Sequence, residues 1–217
     1  MQRPLNDLAR KRATRTSPEL RQAQLLACAM KVFARLGIGR AVHADVAREA
    51  RVSVPTVFSY FPTGDALKIA VVTEIDRFLV LLVNTATRNT ADSEDRLKSI
   101  LRAFAEAVES HPDYLKIWMD WSTVIAEPTW SKYEAFQDHI LDAFATLIER
   151  GKDEGTLRAD LNATIGAHMI MGAGHMIAQM IFRHRDAQLI DEFIDNVVHN
   201  ALFAEVRKVR QKVDSIG

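Results

Sequence analysis

The sequence lacks the features that mark secreted or membrane-anchored chains. It has a single cysteine, Cys28, which excludes an intramolecular disulfide framework. The longest apolar run, MIMGAGHMIAQMIF from Met169, has 14 residues and contains His175 and Gln179, whereas a bilayer span needs about 20 residues. Residues 1–20 are polar and basic, so we expect no signal peptide. These absences predict a cytoplasmic protein with no membrane partner.

Catalytic and metal-binding motifs are also missing. The sequence contains no glycine-rich phosphate loop, no GxSxG elbow and no HExxH pair. His168 and His175 are seven residues apart and could share a helix face, but nothing in the sequence brings further ligands to them. Cys28 has apolar neighbours, which favours packing over redox chemistry. We therefore expect no enzyme activity, no cofactor and no metal.

Alternating strand patterns of useful length are absent, and the periodicity is helical nearly throughout, which predicts an all-α fold. Ser17, Pro18 and Glu19 supply a cap, a first-turn proline and a first-turn acid, and Gly37 ends the helix that they start. Breakers along the chain predict the other helices, at about 43–50, 53–61, 65–87, 93–110, 112–126, 128–154, 161–184 and 187–213.

The zero net charge conceals a strong asymmetry. Residues 1–70 hold 12 lysines and arginines against 5 acids, while residues 71–217 hold 16 against 23. A basic amino-terminal third indicates a polyanionic partner there, although chance segregation with solubility is the simpler alternative. The chain divides accordingly into a flexible basic arm (1–16), a helix-turn-helix head (17–64) and a helical regulatory and dimerisation body (65–217).

The most informative segment is RVSVPTVFSYFPTGDAL, from Arg51 to Leu67. Ser53 can cap a short helix that has Pro55 in its first turn, and Pro62 ends that helix. Val57 and Phe61 are expected to pack inward, so that small and hydrogen-bonding residues face outward. Two short helices joined by a tight turn and braced by a longer one are typical of a three-helix DNA-binding head.

These residues resemble a known family. The order of arm, head, connecting helix and helical body, together with VSVPTVFSYFPTGDAL, is similar to the TetR family of transcriptional regulators. FARLGIGRAVHADVAREARVSVPTVFSYFPT, KIWMDWS and IERG resemble its LuxR/HapR-type quorum-sensing branch. This resemblance implies a homodimer that binds pseudo-palindromic double-stranded operators, represses some promoters and activates others.

The recognition helix suggests specific DNA contacts. Hydroxyls can bond to base edges, apolar groups can meet thymine methyls, Tyr60 is placed for a phosphate, and cations fix the backbone. Arg12 and Arg15 in the arm could enter the minor groove or merely steer association. The candidate DNA-binding residues are Arg12, Arg15, Arg40, Ser53, Val54, Pro55, Thr56, Ser59, Tyr60 and Lys68.

The body carries two further sets of candidates. Small residues and apolar side chains of the last two helices predict a dimer interface, formed by Gly166, Ile170, Ala173, Ile177, Ile181, Phe193, Val197 and Leu202. Aromatic and methionine side chains could line a pocket for a small apolar ligand, or could be plain core. That set is Phe78, Leu82, Phe104, Trp118, Trp121, Phe136, Ile140 and Met171.

Three positions depart from the patterns that the sequence resembles. Gly64 stands where the wider family usually has lysine, Phe58 where it often has tyrosine, and Ser59 where the LuxR/HapR-type branch has asparagine. Two alternatives to the main hypothesis therefore stay open. One is a local repressor released by a ligand, and the other is a helical small-molecule binding protein that has no operator.

Overall fold

The computed structural model describes residues 17–88, 92–125 and 128–202, with side chains up to residue 199. Nine helices and no strand lie in these ranges, in agreement with the predicted all-α class. They are α1 (Pro18–Leu36), α2 (His43–Ala50), α3 (Val54–Tyr60), α4 (Gly64–Ala86), α5 (Ser93–Ser110), α6 (Pro112–Trp121), α7 (Trp130–Asp153), α8 (Ala163–Phe182) and α9 (Ala187–Leu202).

Side-chain caps set where several helices begin. Ser17 Oγ accepts the Leu20 N–H at 3.2 Å, and Thr63 Oγ1 accepts the Ala66 N–H at 3.0 Å. Asn162 caps α8 in the same way. Each contact satisfies one of the N–H groups that a helix start leaves unpaired. The predicted start and end of α1 are confirmed, with Gly37 at a φ of 85° closing it.

The sixth helix, α6, ends at Trp121 and is therefore shorter than the predicted range of 112–126. Ser122 Oγ donates to the Met119 carbonyl at 2.7 Å, and Thr123 Oγ1 donates to the Asp120 carbonyl at 2.8 Å. These hydroxyls compete with the backbone N–H groups that would continue the helix. The prediction overlooked this local competition.

The body packs around α8, which lies against α5, α7 and α9. By length and composition α8 could cross a membrane, but Ala167, Ile170 and Ile177 on one side of it are buried in the protein core. At Gly151 a Cβ atom would lie 2.6 Å from Leu157 Cδ1, so this position in α7 requires glycine. Cys28 is partly buried against the core.

Candidate nucleic-acid interface and body cavity

The recognition helix α3 is held in place from within and from both ends. Val57 is fully buried and Phe61 is 3% exposed, so both pack on the head's core as predicted. Ser53 Oγ accepts the Thr56 N–H at 3.3 Å and caps the helix. The turn before α3 contains Arg51 in the left-handed region, with φ of 54°. The helix is therefore fixed against α2, and its other face is turned outward.

The outward face of α3 carries mostly small side chains, several of which have hydroxyl groups. Ser53, Val54, Pro55 and Ser59 are exposed, and Thr56 is half-buried. Ser59 Oγ already donates to the Thr56 carbonyl at 2.7 Å, so in this conformation it offers only acceptor sites. Acceptors suit the amino groups of adenine or cytosine in the major groove.

A ring stack that the sequence did not predict supports the same face. The rings of His43 and Phe58 are parallel to within 4°, with centroids 4.0 Å apart. His43 is buried, and its Nε2 donates to the Phe61 carbonyl at 2.7 Å. His43 therefore ties α2 to the end of α3. Phe58 remains 45% exposed on the outward face, where it belongs to the candidate interface as much as Tyr60 does.

Of the four candidate cations, Arg40 and Lys68 lie in the described ranges and the other two lie outside them. Arg40 is exposed after α1, and its Nε donates to the Leu36 carbonyl at 2.9 Å, which holds the guanidinium near the head. Lys68 is half-buried in the second turn of α4. Arg12 and Arg15 lie in the arm, outside the described ranges.

The body contains an apolar cavity between α4, α5, α6, α7 and α8. It is a narrow slot with a volume of about 40 Å³. Its walls are Leu79, Leu82, Val83, Ile100, Leu101, Phe104, Trp118, Phe136, Ile140, Phe144, Ile170, Met171 and Gly174.

Six of the eight predicted pocket residues lie on these walls, and Phe78 and Trp121 do not. Phe78 is turned toward the start of α6, where its ring centroid is 4.7 Å from that of Tyr114. Trp121 is buried on the side facing α7, and its Nε1 donates to the Thr129 carbonyl at 3.1 Å. Trp121 belongs to the structural core, and Phe78 is half-buried against it.

Trp118 is the polar exception in the cavity wall. It is 2% exposed, and its indole Nε1 has no hydrogen-bond partner among the described residues. Its ring centroid is 4.0 Å from that of His175, whose Nδ1 donates to the Met171 carbonyl at 3.2 Å. Burial lowers the pKa of His175 below its ordinary value, so the imidazole is neutral at neutral pH. This neighbour thus brings no positive charge to the cavity.

A contact between head and body starts from the same helix. Asp120 Oδ2 accepts the N–H of Ile38 at 2.6 Å, just after the end of α1. Asp120 and Trp118 are two residues apart on α6, so one helix joins the cavity wall to the head. No local pattern in the sequence predicts this contact, because the two residues are 82 positions apart.

Most of the residues of α8 predicted for the dimer interface lie inside the protomer. Gly166, Ile170, Ala173 and Ile177 are buried within the protomer, where they pack toward α5 and α7. Ile181, Phe193 and Val197 are half-buried, and the side chain of Leu202 lies outside the described set. The exposed side of α8 carries an outer stripe instead, formed by Ile165, Met169, Gly172 and Met176.

The spacing of the outer stripe suits helix pairing. Its residues recur every three or four positions, so they form one face of α8. Ile165 is 60% exposed and Met169 is 41% exposed, and no other described segment comes within 4 Å of a Cβ built on Gly172. Leu189 of α9 is also an exposed apolar residue.

Known proteins match this chain along most of its length. A family model described as bacterial regulatory proteins, tetR family, matches residues 25–71. A second, described as a tetracyclin repressor-like C-terminal domain, matches residues 90–179. The HTH-type transcriptional regulator LuxR of Vibrio harveyi is 34% identical over 152 residues, which cover 68% of this chain and 74% of that protein.

Solved structures show the same fold at low sequence identity. A TetR-family regulator from Agrobacterium tumefaciens has a TM-score of 0.75 at 17% identity, covering 87% of this chain and 100% of that one. FadR of Bacillus subtilis, solved in complex with stearoyl-CoA, has a TM-score of 0.69 at 14% identity, covering 82% and 97%.

Proposed function

Because this chain belongs to the TetR family of DNA-binding transcriptional regulators, we propose that it binds pseudo-palindromic operators as a cytoplasmic homodimer. The outward face of α3 carries the proposal, since it presents exposed groups of major-groove chemistry on a helix anchored by Val57 and His43. A single head buries little surface and discriminates poorly among genomic sites. A second head, related by two-fold symmetry, supplies the missing specificity.

We place the dimer contact on the outer stripe of α8 and the exposed edge of α9. These positions are apolar and exposed in the protomer, and they lie on two adjacent helices. Two protomers that pair there would form a four-helix interface. The half-buried Ile181, Phe193 and Val197 are placed to contribute at its margins.

The base contacts are assigned to Thr56 and Ser59, the thymine-methyl contacts to Val54 and Pro55, and a phosphate contact to Tyr60. Ser53 joins them through its hydroxyl, which lies 2.8 Å from that of Thr56. Arg40 and Lys68 contact phosphates of the DNA backbone and so position the head on the duplex, while Arg12 and Arg15 of the arm reach the minor groove.

The identity to Vibrio harveyi LuxR supports control of the quorum-sensing type, in which one regulator represses some promoters and activates others. The body cavity supports a second possibility, a repressor that a ligand releases. The Bacillus subtilis neighbour with stearoyl-CoA supports ligand binding by this fold but not a particular ligand. A ligand acts only if its affinity differs between two arrangements of the heads.

The salt dependence of operator binding tests the contact assignment. On a duplex selected with the purified protein, Arg12→Ala, Arg15→Ala and Tyr60→Ala should each weaken binding. Arg12→Ala and Arg15→Ala should each also flatten the slope of log affinity against log salt by about one unit, because each removes a cation from the DNA, whereas the loss of the neutral Tyr60 should leave the slope unchanged. Arg183→Ala, an exposed arginine at the far end of α8, is the matched control. Unchanged affinity in all three variants, or unchanged slopes in both arginine variants, would refute the assignment.

A further inference from the structure

The cavity wall combines two properties that restrict its ligand. All its side chains are hydrocarbon or thioether except the indole of Trp118. That indole carries a buried N–H without a hydrogen-bond partner among the described residues. Buried polar groups are nearly always hydrogen-bonded, because leaving one unpaired away from water is destabilising. The N–H of Trp118 is therefore a donor that lacks its acceptor.

We propose that the cavity binds an uncharged, largely hydrocarbon ligand through one hydrogen-bond acceptor, such as a carbonyl oxygen, that receives the N–H of Trp118. The proposal rests on the proposed ligand-binding role of the body and names the chemical class of the ligand. The acceptor restores the missing bond, and the apolar walls bind the remainder by excluding water from it.

The same walls exclude charged ligands. No lysine or arginine lines the cavity, and the imidazole of His175, which lies beside Trp118, already donates its Nδ1–H to the Met171 carbonyl. A buried carboxylate without a cation is strongly disfavoured by desolvation. A purely hydrocarbon ligand can enter, but it leaves the indole N–H unpaired.

A second unpaired buried group does not compete for this role. Thr129 Oγ1 also lacks a partner among the described residues, but Thr129 is not part of the cavity wall. Trp121, the neighbouring indole on α6, is already satisfied by the Thr129 carbonyl. Among the residues described, only Trp118 both lines the cavity and has a buried N–H without a hydrogen-bond partner.

Three probes of one shape separate the ligand classes. Acetophenone, isopropylbenzene and benzoate have the same number of non-hydrogen atoms, but they differ in being a ketone, a hydrocarbon and a carboxylate. In nuclear magnetic resonance of the ¹⁵N-labelled full chain without DNA, acetophenone should shift the Trp118 indole N–H signal downfield. Isopropylbenzene should bind without that downfield shift, and benzoate should not bind. The three indole signals are assigned on the unmutated chain from through-bond correlations to the backbone, and Trp118→Phe and Trp121→Phe check that assignment.

Affinities measured by calorimetry complete the test. Trp118→Phe should weaken the affinity for acetophenone about fivefold, as expected for the loss of one net hydrogen bond. It should change the affinity for isopropylbenzene less than twofold. Trp121→Phe should change neither.

The proposal is wrong if acetophenone leaves the Trp118 signal in place, if benzoate binds as well as acetophenone, or if no probe binds. The resonance experiment on the unmutated chain decides even if a variant fails to fold. Operator binding is measured in a separate experiment. If the probes do not bind as expected, the proposed DNA-binding function is unaffected. If operator binding fails, the ligand-binding result can still be interpreted.

Discussion

The link between Asp120 and Ile38 should contribute measurably to stability, and its removal is the sharpest test of how the head is attached to the body. In Asp120→Ala the N–H of Ile38, now bonded at 2.6 Å, loses its acceptor. Ile38 itself is fully buried, so its backbone has little access to replacement water. Hydrogen bonds to charged groups contribute about 1.5–3 kcal/mol. Because Asp120 is only half-buried, we expect the lower part of this range, about 1.5–2 kcal/mol.

Urea unfolding at a fixed protomer concentration measures this loss, since a dimer's apparent stability depends on concentration. In a separate thermal unfolding experiment, the melting temperature should fall by about 3–8 °C for a chain of this size. Asp120→Asn keeps an acceptor and should lose less. Asp142→Ala removes an exposed aspartate from α7 and is the control. If Asp120→Ala and Asp142→Ala agree within about 0.5 kcal/mol, the link does not stabilise the fold as argued.

Three further changes test other parts of the structure. Gly151→Ala should destabilise by about 1–3 kcal/mol in urea unfolding, because its Cβ would lie 2.6 Å from Leu157 Cδ1; an unchanged midpoint would contradict this. Met169→Glu should shift sedimentation from dimer to monomer, whereas Leu81→Glu, at an exposed apolar position on α4, should not; equal behaviour would place the interface elsewhere. His175 has a pKa lowered by burial, so the unfolded chain takes up a proton first as the pH falls below about 6.5, and stability drops. His175→Phe should make stability fall less steeply between about pH 7.5 and 5.5, and identical slopes would refute the cause.

The helix starts and ends were readable because they depend on local chemistry. Ser17, Ser53 and Gly37 act within a few residues of their own positions, and the structure confirms all three. The end of α6 was missed for a reason of the same kind, because hydroxyls at Ser122 and Thr123 bond back to the helix. Their effect depends on side-chain rotamers, which a periodicity argument does not consider.

The two faces of α8 could not be distinguished from sequence. The predicted interface stripe from Gly166 to Ile177 and the outer stripe from Ile165 to Met176 have the same spacing, shifted by one residue. Both are apolar or small, so periodicity alone does not say which one meets α5 and α7. Only the packing of the whole body shows that the first stripe is buried.

Contacts between distant segments were equally beyond reach. The His43–Phe58 stack and the bond from Ile38 to Asp120 join separate helices or loops, and no local pattern announces them. The cavity was predicted in outline, since aromatic residues at helical spacing must face some interior. Which of them line a space and which fill the core depends on the rotation of each helix, as Phe78 and Trp121 show.

Selection of DNA by the purified full-length protein from a pool of randomised duplexes, followed by sequencing, tests the central claim most directly. A dimer that reads DNA with two copies of α3 should enrich a two-fold symmetric motif whose half-sites lie about one helical turn, or a multiple of it, apart. Thr56→Ala should alter the preferred bases within each half-site without changing the spacing. Enrichment of no sequence, or of a single asymmetric site, would contradict the account.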